Sequence, residues 1–540
     1  MDSLFLAGLL GCASFASFHS LENSAAFPLY AAVLLGLLGI VASFNKAISF
    51  PGTALGIALP AALAHLQLLI HGHGRDGTIA ATREVEILPF VLCIATALPA
   101  SRVASVAIIV AMAGVCHALH ASALWLVLLG AICGLTSELR GALRLSHFEL
   151  CLFLYGIGVV LADVITGCPN LSRSGAGEEE KEGEEEAAAM HVVKLGLVAT
   201  VVFGLSVHWL STSGWPGCVS VDPRRGTLTL RSYAFLSAAT LAFLGAMLYA
   251  MQRSLQQNPL RWVYDLCLVK NQGAAGWQML VWCLLILATT PLARLSLVRW
   301  KWPAIVTRKL FHFLAAIMFV PPLLMRGGQR GFLALAFGVA LCAFFVVEFA
   351  RALVAATEVR SFVPLVDGVI DYFGLFTKKP RERQYVIWDH ITLLLGCATP
   401  VWLSLSIPSP LQSPQLKMPL LPFIGFISIG LGDAVAAIVG IMYGQHKWTR
   451  ASGRSIEGSA AAAAAMLLAA GLLETCLARW GAGGETTTGE GTTAALTIFL
   501  ITLVEAFTIE NDNLVVVLFG VGFYESFSVL RLRLVGSTGR

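Results

Sequence analysis

Long apolar stretches recur along the whole chain and are separated by short polar segments. Many approach the ~20 apolar residues that an α-helix needs to cross the hydrocarbon core of a bilayer. They lie near residues 3–20, 28–44, 53–71, 86–101, 103–118, 120–137, 147–167, 191–211, 232–251, 277–298, 304–325, 332–350, 388–407, 419–443, 458–476, 493–510 and 513–530. The pattern predicts an all-α, polytopic membrane protein with roughly 15–17 transmembrane helices.

Composition supports a membrane protein and excludes two other classes. Of the 540 residues, 57% are hydrophobic and 13% are charged, which is too little charge for the surface of a soluble protein of this length. The net charge of +4 comes from basic residues in separate short loops, so no nucleic acid is expected as a partner. The 12 cysteines are scattered and predict packed side chains instead of disulfides or a zinc site. The first twenty residues lack a basic start and are interpreted as a first span, not a cleaved signal peptide.

An acidic segment at 171–189 interrupts the apolar pattern. Its centre, residues 177–186, consists of glutamates with two glycines and one lysine. Because clustered like charges repel and cannot form a core, the segment is predicted to be a disordered loop between helices. The alternative is an acidic binding loop.

Ionisable residues divide the chain into two regions. Few lie in the spans before residue 300, and many lie at predicted helix ends after it: Arg308, Lys309, His312, Glu348, Asp389, His390, Asp433, Glu457, Glu505 and Asp512. We therefore interpret 1–300 as a variable transmembrane region and 301–530 as the catalytic region. If the basic loop 444–457 faces the cytosol, alternation of the spans brings Arg308, Lys309, Glu348, Asp389, His390 and Asp512 to that same face, with Glu505 about one turn deeper. Arg326, Arg330 and the basic residues of the loop 252–276 do not fit this orientation, since they fall on the luminal side.

Asp433 lies in an apolar stretch, between glycines and alanines. A charged carboxylate inside a bilayer costs roughly 2.5–3.5 kcal/mol, so it indicates a function and requires a cationic partner. The alternative is a hydrogen-bonded aspartate in a packing helix.

The basic loop that follows Asp433 contains no Walker sequence and no GxGxxG motif. It contains Lys447, Arg450 and Arg454, and it runs through Ser455 into an alanine-rich helix. Backbone N–H groups at a helix start, with a hydroxyl and cations, favour phosphate binding, and Trp448 could stack on a nucleobase. The alternative is a solvated basic loop.

Two further segments have the composition of a phosphate or metal site. Arg308 and His312 share one helical face next to Lys309, although such residues also serve as interface anchors. The segment 505–513 combines carboxylates with carboxamides, which are hard oxygen ligands that suit Mg²⁺. Its alternative is a polar turn between two spans.

Taken together, these motifs resemble the dolichol kinases. Their order and spacing match in Arg308-Lys309-x-x-His312, Asp389-His390-Ile391, Gly430-x-Gly432-Asp433, Gly453-Arg454-Ser455-x-Glu457-Gly458-Ser459 and Glu505-Ala506-x-Thr508-x-x-x-Asp512-Asn513. The resemblance covers roughly 300–530. One departure is that the family commonly has Lys-Lys-Thr-Phe-Glu-Gly where this chain has 453–458, with one cation fewer.

The resemblance implies CTP-dependent phosphorylation of the terminal hydroxyl of dolichol. The product, dolichyl phosphate, is the lipid carrier for protein glycosylation. The family works in the endoplasmic reticulum membrane and binds CTP on the cytosolic side, through the stretch that matches the basic loop. Dolichol or another polyprenol, CTP and the membrane are thus the expected partners. The sequence leaves the oligomeric state open.

We hypothesise the following roles. The catalytic residues are Asp433, Glu457, His312 and Asp512, with His312 and Glu457 as alternative acceptors of the hydroxyl proton. The ligands of Mg²⁺ or another divalent cation are Asp433, Glu505 and Asp512. The nucleotide-binding residues are Gly444, Gln445, His446, Lys447, Trp448, Thr449, Arg450, Ala451, Ser452, Gly453, Arg454, Ser455, Ile456, Glu457, Gly458 and Ser459, with Arg308 and Lys309.

Other functions remain as alternatives. Similar chemistry would serve a kinase for phytol or farnesol, or a CTP-using cytidylyltransferase, but those relatives are usually much shorter. A different class is an ion-coupled transporter with Asp433 and Glu505 as relays. A transporter predicts inverted repeats and charges near the middle of the membrane, whereas no internal repeat is visible and most charges lie toward one face.

Overall fold

A computed structural model describes the carboxy-terminal two thirds of the chain. The described residues are 178–212, 221–222, 227–269, 273–325, 329–357, 368, 372, 388–406, 419–449, 452–480, 490–508 and 512–538. The candidate spans before residue 178 lie outside the described residues, as do Arg450 and Ala451 of the predicted nucleotide loop.

The described residues are helical, apart from connecting turns and one two-residue strand pair. The helices are α1 (Glu178–Thr212), α2 (Leu230–Leu255), α3 (Pro259–Tyr264), α4 (Ala274–Val298), α5 (Ala304–Leu324), α6 (Arg330–Thr357), α7 (Trp388–Ser406), α8 (Ala434–Met442), α9 (Ile456–Trp480), α10 (Glu490–Phe507) and α11 (Asp512–Thr538). The strands β1 (Val221–Asp222) and β2 (Thr227–Leu228) pair antiparallel between α1 and α2.

The predicted all-α membrane fold is confirmed for this part of the chain. Every candidate span from 191–211 onward coincides with a helix. Seven helices in the described residues are long and apolar enough to cross a membrane. The span at 419–443 is assembled from a short 3₁₀ turn, a π-helical segment (Phe426–Asp433) and α8.

The prediction of a disordered acidic loop at 171–189 is wrong for 178–189. These residues form the beginning of α1, which continues without a break to Thr212. Glutamate is a good helix former, and negative charge near a helix amino terminus is favoured by the helix dipole. Ala188 and Ala189 are buried, and α1 packs along α6. Helix propensity and packing thus outweigh the local repulsion between carboxylates.

Close packing holds the helices together, since lipid tails are as apolar as leucine side chains. The indole N–H of Trp282 on α4 donates to the carbonyl oxygen of Met318 on α5 at 2.7 Å. Phe319, Phe337 and Phe426 form an aromatic cluster that joins α5, α6 and the π-helical segment. This cluster therefore packs three membrane segments against one another.

The span that contains Asp433, Leu421–Met442, contacts α7 and α9 through glycines. A Cβ on Gly425 would collide with the carbonyl oxygen of Gly396 on α7, and one on Gly458 would lie 2.7 Å from the carbonyl oxygen of Ala436. Glycine therefore allows backbone contact at both places. This contact brings the carboxy-terminal end of the span against the start of α9.

Candidate functional site

Charged and polar side chains from several helices meet toward one end of the bundle, where α5, α7, α9 and α11 begin and α10 ends, and where the π-helical segment passes into α8. We call this set the polar ring, and its members are Arg308, Lys309, His312, Asp389, Asp433, Arg454, Glu505, Asp512 and Asn513. The structure thus brings these distant motifs together, as the sequence predicts.

Asp433 is buried, with 5% of its surface exposed, and its cationic partner is Lys309, which is 7% exposed. The Lys309 Nζ lies 2.5 Å from Asp433 Oδ2, and His312 Nε2 lies 3.1 Å from the same oxygen. The other ring nitrogen of His312 lies 3.2 Å from the carbonyl oxygen of Arg308. The π-helical segment ends at Asp433. π-helical turns often occur at functional sites.

Arg454 joins the loop before α9 to two further acids. Its Nη1 lies 3.0 Å from Glu505 Oε1 and its Nη2 lies 2.8 Å from Asp512 Oδ2. Burial lowers the pKa of Arg454, but the carboxylates of Asp512 and Glu505 outweigh it and raise the pKa above its usual value. Asp433 also interacts electrostatically with Arg454 and Glu505, which links the two groups of charges.

Contacts through α7 complete the polar ring. Arg308 forms an ion pair with Asp389 on α7. The next residue, Lys309, contacts Asp433. The Asn513 side chain donates to the carbonyl oxygen of Asp389 at 3.4 Å. Asp389 was not among the site residues predicted from sequence. The available signal was its place, directly before His390 at the start of an apolar span in the family-like segment.

The predicted nucleotide loop is a compact hairpin. Lys447 pairs with Ser455 in an antiparallel bridge, and the Trp448 N–H donates to the Arg454 carbonyl oxygen at 3.0 Å. Gly453 has a φ of +65°, in the left-handed region that glycine adopts without strain. The Ser455 hydroxyl accepts a bond from the Gly458 N–H at 3.1 Å and so caps α9. The hairpin thus directs Arg454 toward α10 and α11.

Glu457 and Trp448 stabilise this hairpin. Glu457 accepts a bond from the His446 backbone N–H at 3.1 Å, and its Oε1 lies 2.6 Å from His446 Nδ1. No described contact joins Glu457 to Asp433. The Trp448 indole donates to the Ser459 hydroxyl at 3.0 Å and packs against Phe507 at a ring distance of 5.5 Å. Gln445, His446 and Lys447 are exposed to solvent.

The three predicted metal ligands occupy two places. Asp433 lies against Lys309, whereas Glu505 and Asp512 lie against Arg454. Among the described residues, no group of three or more His, Cys, Asp or Glu side chains is suited to a metal ion. The fit to a cation is nevertheless visible at Arg454, because its guanidinium places positive charge between two carboxylates.

A second buried charged cluster lies beside the polar ring and was not predicted as a site. On α6, Arg351 Nη2 lies 2.7 Å from Glu348 Oε2, and both side chains are almost fully buried. His390 Nε2 lies 3.4 Å from Glu348 Oε1. The opposite charges of Arg351 and Glu348 neutralise each other. The contact of Glu348 with His390 positions the first turn of α7, where His390 follows Asp389.

Comparisons with known proteins agree with the motifs. The chain is 31% identical over 253 residues to dolichol kinase EVAN of Arabidopsis thaliana, which covers 43% of this chain and 40% of the relative. It is 26% identical over 334 residues to dolichol kinase of Homo sapiens, covering 60% of this chain and 55% of the relative. Dolichol kinase sec59 of Schizosaccharomyces pombe is 30% identical over 151 residues, or 28% of this chain and 27% of the relative.

The chain thus spans about half, or less, of the length of these curated relatives. No protein-family model matches the chain, and no solved structure matches it. The resemblance to dolichol kinases that the motifs carry is confirmed by these relatives from plants, animals and yeast.

Proposed function

We propose that this chain is a CTP-dependent polyprenol kinase that converts dolichol to dolichyl phosphate. The observation that carries the proposal is the polar ring, in which residues from five separated motifs meet at one end of a membrane helix bundle. The similarity to proteins named dolichol kinase supports the same substrate. In this proposal the enzyme lies in the endoplasmic reticulum membrane with the polar ring facing the cytosol.

The cations of the polar ring suit a triphosphate. Phosphoryl transfer depends on positioning and on neutralising charge, with little covalent chemistry for the protein itself. Lys309 and Arg454 contact different acids of the polar ring, and Arg308 is a third cation, on α5. Lys447 is exposed on the hairpin and would meet the nucleotide first. The loop 444–459 would thus hold CTP above the ring.

The transfer step would take place beside Asp433. The hydroxyl oxygen of the polyprenol attacks the γ-phosphorus, the bond from that phosphorus to the bridging β-oxygen breaks, and CDP leaves. The hydroxyl proton passes to the His312–Asp433 pair, whose atoms are 3.1 Å apart. Glu457, the other candidate acceptor, is bound to His446 and serves to hold the hairpin. The geometry therefore favours His312 over Glu457 for this role.

Mg²⁺ would accompany the triphosphate, held by carboxylates from the set Asp433, Glu505 and Asp512, and would neutralise the β- and γ-phosphates. The hard oxygen donors that lie against Lys309 and Arg454 fit such a cation. Asp512 is the most accessible of the three to a cation that arrives with a nucleotide, since its side chain is 30% exposed whereas that of Glu505 is 4% exposed.

The long polyprenol would lie in the bilayer, along apolar helix surfaces that the protein leaves exposed. Outward-facing side chains such as Leu241 on α2, Leu287 on α4 and Phe499 on α10 are more than half exposed. A hydroxyl at the membrane boundary would reach the polar ring without the chain leaving the lipid.

The test is phosphoryl transfer by the purified full-length chain in lipid nanodiscs. We expect radiolabel from γ-labelled CTP to appear in dolichol and not in phytol or farnesol, with ATP a much poorer donor. Label in phytol or farnesol alone would establish the shorter-alcohol kinase instead. Transfer of the CMP moiety would indicate a cytidylyltransferase. Absence of any transfer, with ion flux in sealed vesicles, would support the transporter.

A further inference from the structure

Two buried oxygen atoms belong to residues that are close in sequence to Glu505 and Asp512, and neither atom takes part in a contact described so far. Thr508 follows the last turn of α10 and is 3% exposed, and Asn513 lies in the first turn of α11 and is 7% exposed. Thr508 Oγ1 and Asn513 Oδ1 have no hydrogen-bond partner among the described residues. Buried polar atoms nearly always have a partner, so these two oxygens point to a ligand.

Both atoms are neighbours of the acids that contact Arg454. Glu505 lies one helical turn before Thr508, and Asp512 directly precedes Asn513. The amide nitrogen of Asn513 donates to the Asp389 carbonyl oxygen, which leaves its oxygen as the unpaired atom. Two carboxylates, a hydroxyl and a carboxamide oxygen are hard ligands, the kind that Mg²⁺ and Mn²⁺ prefer.

We propose that these four side chains form a divalent-cation site, here called the cation site: Glu505, Thr508, Asp512 and Asn513. Arg454 occupies the position of the cation until a nucleotide arrives. The inference rests on the proposed function in one respect, namely that the cation acts together with a triphosphate. Asp433 is not part of the cation site, because its carboxylate contacts Lys309 and His312.

Charge balance explains why Arg454 exchanges with the cation. Glu505 is almost fully buried, and it lies close to the negative charge of Asp512 and of Asp433. Without a metal ion, the guanidinium of Arg454 supplies the positive charge that these acids require. A divalent cation would repel the guanidinium, which lies on the nucleotide hairpin and can turn to phosphate oxygens. Metal binding and phosphate binding therefore favour each other, and this coupling is reciprocal.

The first test measures Mn²⁺ binding to the purified full-length chain by electron paramagnetic resonance, without nucleotide or polyprenol. We expect Arg454→Gln to bind Mn²⁺ at least tenfold more tightly than the wild type, because the competing cation is gone. Arg454→Lys keeps a competing charge and should show a smaller gain. Adding Asp433→Asn to Arg454→Gln should leave the tight binding intact. Unchanged Mn²⁺ affinity in Arg454→Gln, or loss of binding with Asp433→Asn, would overturn the proposal.

A second test does not depend on the folding of Arg454 variants. In Thr508→Val, the melting temperature without metal should equal or exceed that of the wild type, since an unpaired buried hydroxyl is removed. The stabilisation that the wild type gains from excess Mn²⁺ should be lost. Thr497→Val is the matched control, because Thr497 is equally buried on α10 but its hydroxyl donates to the Thr493 carbonyl oxygen. The control should keep its response to Mn²⁺.

The two proposals fail in different ways. A lower metal-free melting temperature with an intact Mn²⁺ response in Thr508→Val would assign the hydroxyl a structural role and end the cation site. Failure of the wild type to transfer phosphate from CTP to dolichol would end the kinase proposal, while the Mn²⁺ measurements would still decide the cation site.

Discussion

Consecutive residues of the polar ring serve different partners. Arg308 contacts Asp389 and the next residue, Lys309, contacts Asp433. In the same way Asp512 contacts Arg454, and the next residue, Asn513, contacts α7. Each pair of consecutive residues thus links its own helix to two other segments. Loss of one of these side chains should therefore weaken the packing of more than one helix.

The buried Lys309–Asp433 pair can be tested by comparing single and double variants. Lys309→Met leaves a buried carboxylate without its ammonium partner, and breaking such a pair costs about 3–5 kcal/mol. We expect a large drop in melting temperature and loss of kinase activity. The double variant Lys309→Met/Asp433→Leu should regain most of the stability and none of the activity. A double variant as unstable as the single one would show that the pair does not act as a unit.

Glu457 and His312 should affect different kinetic constants. Glu457→Gln weakens the contacts to His446 that hold the hairpin, so the KM for CTP should rise severalfold with little change in kcat. His312→Gln removes the proposed proton acceptor next to Asp433 and should lower kcat by about 10²–10⁴-fold. Steady-state assays with varied CTP measure both. The reverse pattern would assign the proton transfer to Glu457.

Single residues of the site could be predicted where the sequence breaks a local rule. Asp433 and the Arg308–His312 segment are charges in apolar spans, and both lie in the polar ring. The roles of Trp448 and Glu457 depend on backbone pairing within the hairpin, which composition does not reveal. Arg454 contacts α10 and α11 through residues more than fifty positions away in the chain, so this contact could be identified only from the folded structure.

At the scale of elements, backbone contacts determine how α8 and α9 meet. Gly458 lies against Ala436 of α8, and the capping hydroxyl of Ser455 lies next to the same glycine. The hairpin starts at the end of α8 and leads into α9, so a shift between these helices moves Arg454 as well. Packing between two helices therefore sets the geometry of the hairpin.

A pair of glycine variants on α9 tests this contact. A Cβ at position 458 would lie 2.7 Å from the Ala436 carbonyl oxygen, so Gly458→Ala should cost about 1–3 kcal/mol and reduce activity. Gly471→Ala is the control, since a Cβ there meets nothing within 4 Å. It should be neutral or stabilise by about 0.5–1 kcal/mol through helix propensity. Thermal unfolding and kinase assays decide, and equal effects of the two variants would contradict the packing argument.

The length of the apolar stretches predicts the described spans well, because a long apolar segment has few structures open to it in a bilayer. The apolar pattern does not predict the amino-terminal part of α1. There, the contact with α6 outweighs the repulsion between carboxylates, and that contact is not visible in the sequence. The apolar pattern also missed the π-helical segment Phe426–Asp433, since nothing in the composition of an apolar run distinguishes π from α hydrogen bonding.

At the scale of the whole molecule, the helix directions bring the polar ring toward one end of the helix bundle. All members but one lie near the starts of α5, α7 and α11, before the start of α9, or at the end of α10, and Asp433 lies where the π-helical segment meets α8. The opposite ends of the same helices, such as Met325 after α5, lie on the other side of the bundle. The proposed cytosolic orientation therefore makes a definite statement about accessibility.

Cysteine labelling in sealed microsomes checks this orientation. A membrane-impermeant maleimide should label Gln445→Cys on the exposed hairpin, above the background of the 12 native cysteines. Met325→Cys, also exposed, should be labelled only after the membrane is permeabilised. Labelling of Met325→Cys alone in sealed vesicles would place the polar ring in the lumen.

The one-sided position of the polar ring has a consequence for engineering. In the described part of the chain, the connection from α9 to α10 leaves from the ends of helices that lie farthest from the ring. A fluorescent reporter fused into that connection would sit a full membrane thickness from the reacting groups. We expect such a fusion to retain turnover, which would allow the enzyme to be followed in living cells without disabling it.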